Sequence, residues 1–181
     1  DGDGLFLPGS IPAGMDDDAY KNIMELLKGR DIKIVVDATK ELLVKSLPYG
    51  PFLIKPNNYE LGEIFGVRLT TRSSVIPYAK KLQNMGARNV LVSMAGEGAV
   101  LVSDDGQVID APAPEGKLIN GVGAGDSMVA GFMAGYLARH DYNHAFCMGV
   151  ASGSASAFSE NLATKEEIEK VYKTIVLEEK V

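Results

Sequence analysis

The stretch Asn120-Gly121-Val122-Gly123-Ala124-Gly125-Asp126 puts three glycines and a carboxylate directly ahead of an apolar run. Backbone without side chains can turn tightly and aim several N–H groups at one point. A helix starting there adds about half a positive charge. The stretch therefore reads as an anion site built without a lysine or arginine. Asp126 falls in the first helical turn, where the dipole favours a negative charge. A carboxylate beside a phosphate nest has a chemical task, taking the proton of an attacking hydroxyl in phosphoryl transfer. The structural alternative is a plain tight turn with an acidic first-turn residue. The combination with Asp126 and the apolar helix weighs against it.

Two further groups carry residue types suited to the same chemistry. In Lys55-Pro56-Asn57-Asn58-Tyr59-Glu60, Asn57 and Glu60 are three apart and share a face on a helical turn. They offer a carbonyl and a carboxylate, hard oxygen donors suited to Mg2+ or its bound waters. Helix capping explains the same spacing. In Ser93-Met94-Ala95-Gly96-Glu97-Gly98 a strand enters a glycine-containing turn whose backbone can approach a nucleotide phosphate. A hairpin turn needing positive φ is the alternative. No Gly-x4-Gly-Lys-Ser/Thr loop is present, and the cluster at Gly121–Gly125 misses the spacing of a dinucleotide fingerprint by one position.

Other reactive side chains are read more plainly. His140 and His144, with Asp141 between them, fall four apart as if on one helix face, but two ligands without a third rarely hold a metal. Cys147 is the single cysteine. It reads as a small buried hydrophobe and excludes a disulfide framework within the chain. Glu166–Glu179 reads as an acidic, solvated tail helix.

The elements that must position these residues alternate. Strand-like runs fall at Leu5–Leu7, Lys33–Val36 (ending at Asp37), Phe52–Ile54 and Val90–Met94. A hairpin, Ala99–Ser103 with Gln107–Ala111, turns at Asp104-Asp105-Gly106. Helical spacing covers Asp16–Lys28, Glu41–Ser46, Tyr59–Phe65 and Ser74–Met85, where Pro77 fits only in a first turn. After a Pro-rich loop the chain is helical: Ala124–Arg139, His144–Phe158, and a last helix opening at Thr164 with Glu167 in a capping-box pattern. Ala124–Arg139 is apolar almost all round and rich in small residues, so it should be buried. Strand–helix alternation predicts an α/β fold with a mostly parallel sheet.

Composition bounds the partners. With 181 residues, 18 basic and 24 acidic side chains and a net charge of −6, the chain has the size of about one soluble domain. The acidic balance argues against nucleic acid. The uncharged stretch Asn143–Ser159 is too polar for a membrane span. Asp1–Gly4 has no basic leader character, so the expected location is the cytoplasm. The 20 glycines exceed the usual share of about 7%, and the clusters above hold much of the excess.

These motifs, in this order, resemble the PfkB (ribokinase-like) carbohydrate kinases. Val122-Gly123-Ala124-Gly125-Asp126-Ser127 with Ala130-Gly131-Phe132 is similar to the family's C-terminal signature. Lys55-Pro56-Asn57 with Glu60 is similar to its Asn-x-x-Glu motif, and Ser93, Gly96 and Gly98 to its ATP-phosphate turn. Gly9-Ser10-Ile11-Pro12-Ala13-Gly14 is similar to a loop of its phosphosugar branch. The resemblance implies a three-layer α/β/α ribokinase-like fold in which residues 1–181 form the C-terminal ATP-binding and catalytic part. The first strands, the lid and most sugar contacts are then missing.

The resemblance also implies transfer of the ATP γ-phosphoryl to a phosphosugar hydroxyl, with fructose 1-phosphate the first expectation and tagatose 6-phosphate the alternative. Asp126 is then the base, and Gly123, Ala124 and Gly125 the anion hole. Asn57, Glu60 and Asp37 form the Mg2+ network. Lys55, Ser93, Gly96, Gly98 and Gly125 bind ATP, and the adenine lies near Ala151–Ala157. Gly121 departs from the usual Ser or Thr. The whole enzyme is expected to be a homodimer, and the fragment alone inactive or only a nucleotide-binding module.

Overall fold

The computed structural model describes residues 3–9, 18–38 and 40–177, which divide into two compact units.

The first unit comprises Asp1–Val92 and Leu101–Gln107. Its strands are β1 (Asp3–Pro8), β2 (Ile32–Asp37), β3 (Leu53–Ile54) and most of β4 (Asn89–Ser93). They pair in chain order and in parallel, with Leu7 opposite Val36, Val35 opposite Leu53 and Ile54 opposite Val90. Strands of a parallel sheet are covered on both faces, so they read as unbroken apolar runs. Accordingly Val35, Val36, Leu53, Ile54, Val90, Leu91 and Val92 are buried together. The last half of β5 (Ala99–Val102) follows β4 in the strand order.

The connections are helical: α1 (Ala19–Leu26), α2 (Lys40–Ser46), α3 (Asn58–Phe65) and α4 (Arg72–Asn84). Leu43, Leu61, Val75, Ala79 and Leu82 carry their buried sides. Asn89, fully buried, ties the unit's two chain segments. Its Nδ2 donates to the Phe52 carbonyl at 2.8 Å, and its Oδ1 accepts the Asp104 N–H at 2.9 Å.

In the second unit, formed by Ser93–Val100 and Val108–Val181, the first half of β5 neighbours β6 (Val108–Ala111). Three helices follow: α5 (Ala124–Arg139), α6 (Tyr142–Ala157) and α7 (Lys165–Tyr172). Glycines set the separation of α5 and α6. A Cβ on Gly153 would lie 3.0 Å from the Ala124 carbonyl, and one on Gly149 3.0 Å from the Met128 carbonyl. One on Gly131 would overlap Ser152.

The α/β class is as expected from the sequence, β1 to β4 are parallel, and α5 begins and ends where its residues indicate, but it is not buried all round: Ala130, Ala134 and Leu137 are exposed. Four further local expectations are corrected. α1 spans Ala19–Leu26, shorter than Asp16–Lys28, and Asp16 lies outside the described residues. α4 starts at Arg72, because Thr71 and Ser74 form a reciprocal capping box. Pro77 is therefore the sixth helical residue, where it removes one ladder bond. His140 and His144 share no helix. His140 closes α5 in the left-handed conformation (φ 51°), and Asp141 caps α6 by accepting the His144 N–H at 2.6 Å. The tail helix ends at Tyr172 and gives way to tight turns, Thr174 N–H to Val171 and Ile175 N–H to Tyr172. The Thr164–Glu167 capping box forms as read.

Candidate active site

In the first unit the parallel register brings the ends of three strands level. The Gly9 N–H donates to the Asp37 carbonyl at 2.6 Å. Lys55, just past β3, places Nζ 3.3 Å from Asp37 Oδ1. A lysine this buried needs an opposite charge, and Asp37 supplies it. Tyr20 donates its hydroxyl to the Pro8 carbonyl at 2.8 Å. Burial, and then the Asp37 charge, hold its phenol above the ordinary tyrosine range. The rest of the loop beginning at Gly9, from Ser10 to Gly14, lies outside the described residues.

One turn further on, Asn57 is the N-cap of α3. Its Oδ1 accepts the Glu60 N–H at 2.8 Å, and Glu60 Oε2 accepts the Asn57 N–H at 2.8 Å. The pair is thus a capping box, and the second Glu60 oxygen takes no hydrogen bond from the described residues. No cluster of three or more His, Cys, Asp or Glu able to cage a metal occurs among the described residues. Mg2+ commonly keeps several waters and takes only one or two carboxylates plus phosphate oxygens, and Glu60 with its free oxygen fits that pattern. Asn58, buried, donates Nδ2 to the Leu69 carbonyl at 2.8 Å. That clamp on the loop after α3 had no signature in the sequence.

In the second unit, Ser93 ends β4 and a 3-10 turn covers Ala95–Glu97. The two glycines there differ. Gly98 has φ 97° and ψ −135°, and a Cβ on it would overlap the Ala111 carbonyl, so the fold itself demands glycine. Gly96 is exposed, has no left-handed φ, and a Cβ on it would meet nothing within 4 Å. Neither packing nor conformation within the chain requires glycine there, which leaves the backbone open to an approaching ligand.

The same unit holds the start of α5. Gly123 is its N-cap, left-handed at φ 77°, and no side chain caps the helix. First-turn amides have no in-helix acceptors; the Ala124 N–H turns back to the Gly121 carbonyl at 3.3 Å, and Gly125 sits where an anion is favoured. Asp126 is exposed on the same turn, and no described residue hydrogen-bonds its carboxylate. The turn is held from behind. Ile119 and Asn120 both donate N–H to the Ala157 carbonyl, at 2.8 and 3.1 Å. Asn120 Nδ2 donates to the Glu160 carbonyl at 3.1 Å, and its Oδ1 accepts the Val122 N–H at 3.0 Å. Ser156 donates its hydroxyl to Ser127 Oγ at 2.9 Å and accepts the Ala163 N–H at 3.2 Å.

Of Ala151–Ala157, where adenine was expected, only Ser154 and Ala157 are more than slightly exposed. The sequence singled out no role for Ser156 or for the Asn120 side chain. An Asn-Gly pair in a turn is a usable signal for the second, and nothing local marks the first.

The remaining candidates are structural. His144 Nδ1 lies 2.9 Å from the Tyr172 hydroxyl. Cys147 is buried, and burial pushes its thiol up to about 11. Among the described residues no helix is long and apolar enough to cross a membrane.

Comparison with known proteins supplies the context. The family model described as pfkB family carbohydrate kinase matches residues 2–169. A 1-phosphofructokinase of Bacillus subtilis is 47% identical over 94% of this chain and 56% of its own length. A D-tagatose-1-phosphate kinase of Bacillus licheniformis is 32% identical over 92% of this chain and 55% of its own. The chain thus spans about half the length of the curated relatives it matches. Among solved structures, phosphofructokinase-2 of Escherichia coli in complex with substrates and products superposes with a TM-score of 0.85 at 30% identity, over 94% of this chain and 56% of that one. A ribokinase of Arabidopsis thaliana, at 17% identity, matches with a TM-score of 0.78 over 94% of this chain and 55% of that one, and shares the fold.

Proposed function

The chain belongs to the pfkB family of carbohydrate kinases, and from that membership we propose that it carries the nucleotide-handling and catalytic part of a 1-phosphofructokinase. The reaction is transfer of the ATP γ-phosphoryl to fructose 1-phosphate, giving fructose 1,6-bisphosphate. The observation that carries the reading is the start of α5, where an uncapped helix N-terminus opens on left-handed Gly123 and presents Asp126 with its carboxylate uncommitted.

In this reading Asp126 accepts the proton of the sugar hydroxyl as it attacks. The backbone of Gly123, Ala124 and Gly125 faces the charge that spreads over the transferring phosphoryl oxygens. Lys55 offers a fixed ammonium to the ATP phosphates. Ser93, Gly96 and Gly98 line the nucleotide. Asn57 and Glu60, with Asp37 nearer Lys55, would hold Mg2+ through water. When bound, the ion neutralises phosphate charge. The proposed location is the cytoplasm. The whole enzyme is proposed to work as a homodimer; one solved relative carries the description of a tetrameric inhibited form.

A second substrate has its own observation. The D-tagatose-1-phosphate kinases among the relatives act, by name, on another ketose 1-phosphate. Tagatose 1-phosphate therefore stands beside tagatose 6-phosphate as an alternative acceptor. Turnover by the whole enzyme with each sugar separates them.

The reading is tested with Asp126→Asn. In the whole enzyme ATP affinity should stay within a few-fold of wild type while turnover drops by about 10²–10⁴. A variant that phosphorylates sugar at the wild-type rate removes the base assignment. Tight NAD binding in place of ATP would return the site to dinucleotide chemistry.

A further inference from the structure

We infer that Ser156 is a positioning residue for the start of α5, acting through the Ser127 hydroxyl on one side and the Ala163 amide on the other. The inference rests on the kinase reading of that turn. Ser156 sits on the last turn of α6 and is 3% exposed. Its single hydroxyl has one proton and two lone pairs. The proton goes to Ser127 Oγ at 2.9 Å, and one lone pair takes the Ala163 N–H at 3.2 Å.

Ser127 directly follows Asp126, and its own N–H closes the first helical bond, to the Gly123 carbonyl at 2.8 Å. Ala163 directly precedes Thr164, the N-cap of α7. Next to it, Leu162 Cδ2 stands 3.0 Å from where a Cβ on Gly123 would be. One buried hydroxyl therefore ties the turn that carries Asp126 to the segment packed against the glycine that opens that turn. A buried serine needs such partners, because an unpaired hydroxyl there is costly. Here both partners bear on the same short piece of backbone. Gly153, three residues earlier on α6, admits the Ala124 carbonyl at close range. The hydroxyl is thus the polar end of a contact that is otherwise steric.

The test follows amide exchange by NMR in the 181-residue chain, with ATP titration alongside. In Ser156→Ala the amides of Ser127 and Ala163 should exchange about tenfold faster or more, while mid-helix amides of α5 and α6 keep wild-type protection. Ser127→Ala should speed residue 127 and leave Ala163 unchanged. The double variant should be no faster than Ser156→Ala. ATP affinity should fall about tenfold in Ser156→Ala and recover in Ser156→Thr, which keeps the hydroxyl.

Faster exchange confined to Ala163, or spread evenly over both helices, overturns the inference, as does unchanged ATP affinity in Ser156→Ala. If Ser156→Thr does not fold, Ser127→Ala still decides through the selectivity of its effect. If the wild-type chain binds no ATP, the kinase reading of the turn is what fails, and the exchange pattern alone decides whether Ser156 tethers it.

Discussion

The Lys55 ammonium rests 3.3 Å from Asp37 Oδ1, with the lysine side chain 9% exposed and the aspartate 23%. The pair is therefore unequal. Water reaches the carboxylate far more readily than the ammonium. Removing Asp37 strands a buried cation, whereas removing Lys55 leaves an anion that solvent can still serve. Asp37→Ala should destabilise the chain by about 3 kcal/mol, and Lys55→Met by distinctly less. The double variant should resemble Lys55→Met. Urea unfolding of the four proteins checks the order, and equal losses for the two single variants would contradict it.

The capping box at α3 allows structure and charge to be separated. Asn57→Ala removes one of its two bonds and should cost about 1 kcal/mol of stability. Glu60→Gln keeps an oxygen for the Asn57 N–H, since glutamine serves the same position, yet deletes the negative charge. Thermal midpoints should therefore be close to wild type for Glu60→Gln and lower for Asn57→Ala. The Mg2+ dependence of ATP binding should weaken in Glu60→Gln. If both variants lose stability equally and Mg2+ dependence is unchanged, Glu60 has only its capping role.

Gly96 and Gly98 should respond in opposite ways to alanine. At Gly98 the backbone is in a region closed to other residues and the new methyl meets the Ala111 carbonyl, so Gly98→Ala should cost about 1–3 kcal/mol or more. At Gly96 the methyl enters open space, and stability should hold. If nucleotide approaches that backbone, ATP affinity should nonetheless fall about tenfold in Gly96→Ala, a loss of about 1.4 kcal/mol. Differential scanning calorimetry and ATP titration of the same preparations read both effects.

His144 gives a pH dependence with a definite sign. Burial first, and then Arg139, lower its pKa below 6.5, with Asp141 acting in the opposite direction. The folded chain thus prefers the neutral ring, which meets the Tyr172 hydroxyl at 2.9 Å. As pH falls through about 6.5, the unfolded state takes up the proton more readily and stability declines. Above that pH the residue contributes no slope. His144→Gln should flatten the melting temperature profile below about pH 6.5. An unchanged slope would assign the acid sensitivity elsewhere.

The parts of this molecule legible in the sequence are those whose determinants sit side by side. α5 announces itself by Gly123 before an apolar run and Arg139 at its end. α7 announces itself by Thr164 and Glu167. The site motifs likewise are short stretches whose backbone needs are local. What escaped detection depends on distant partners. Lys55 and Asp37 are brought together by the β2–β3 register. Ser127 meets Ser156 only because glycines let α5 and α6 approach closely. The start of α4 was missed for a different reason. Its box pairs Thr71 with a serine and not with the Glu or Gln that makes such a pattern readable.

The chain passes between its two units three times, after Val92, after Val100 and after Gln107. Neither unit is therefore a continuous stretch of sequence. A chain cut at Val92 would lose Asp104, whose N–H holds buried Asn89 and whose carboxylate takes Arg88 Nε at 2.9 Å. It would also lose the Val102 and Ser103 carbonyls that Gln83 holds. Modular swaps between relatives at that boundary would exchange half of an interleaved weave. Grafts that respect all three crossings are the ones that keep each unit's own hydrogen bonds.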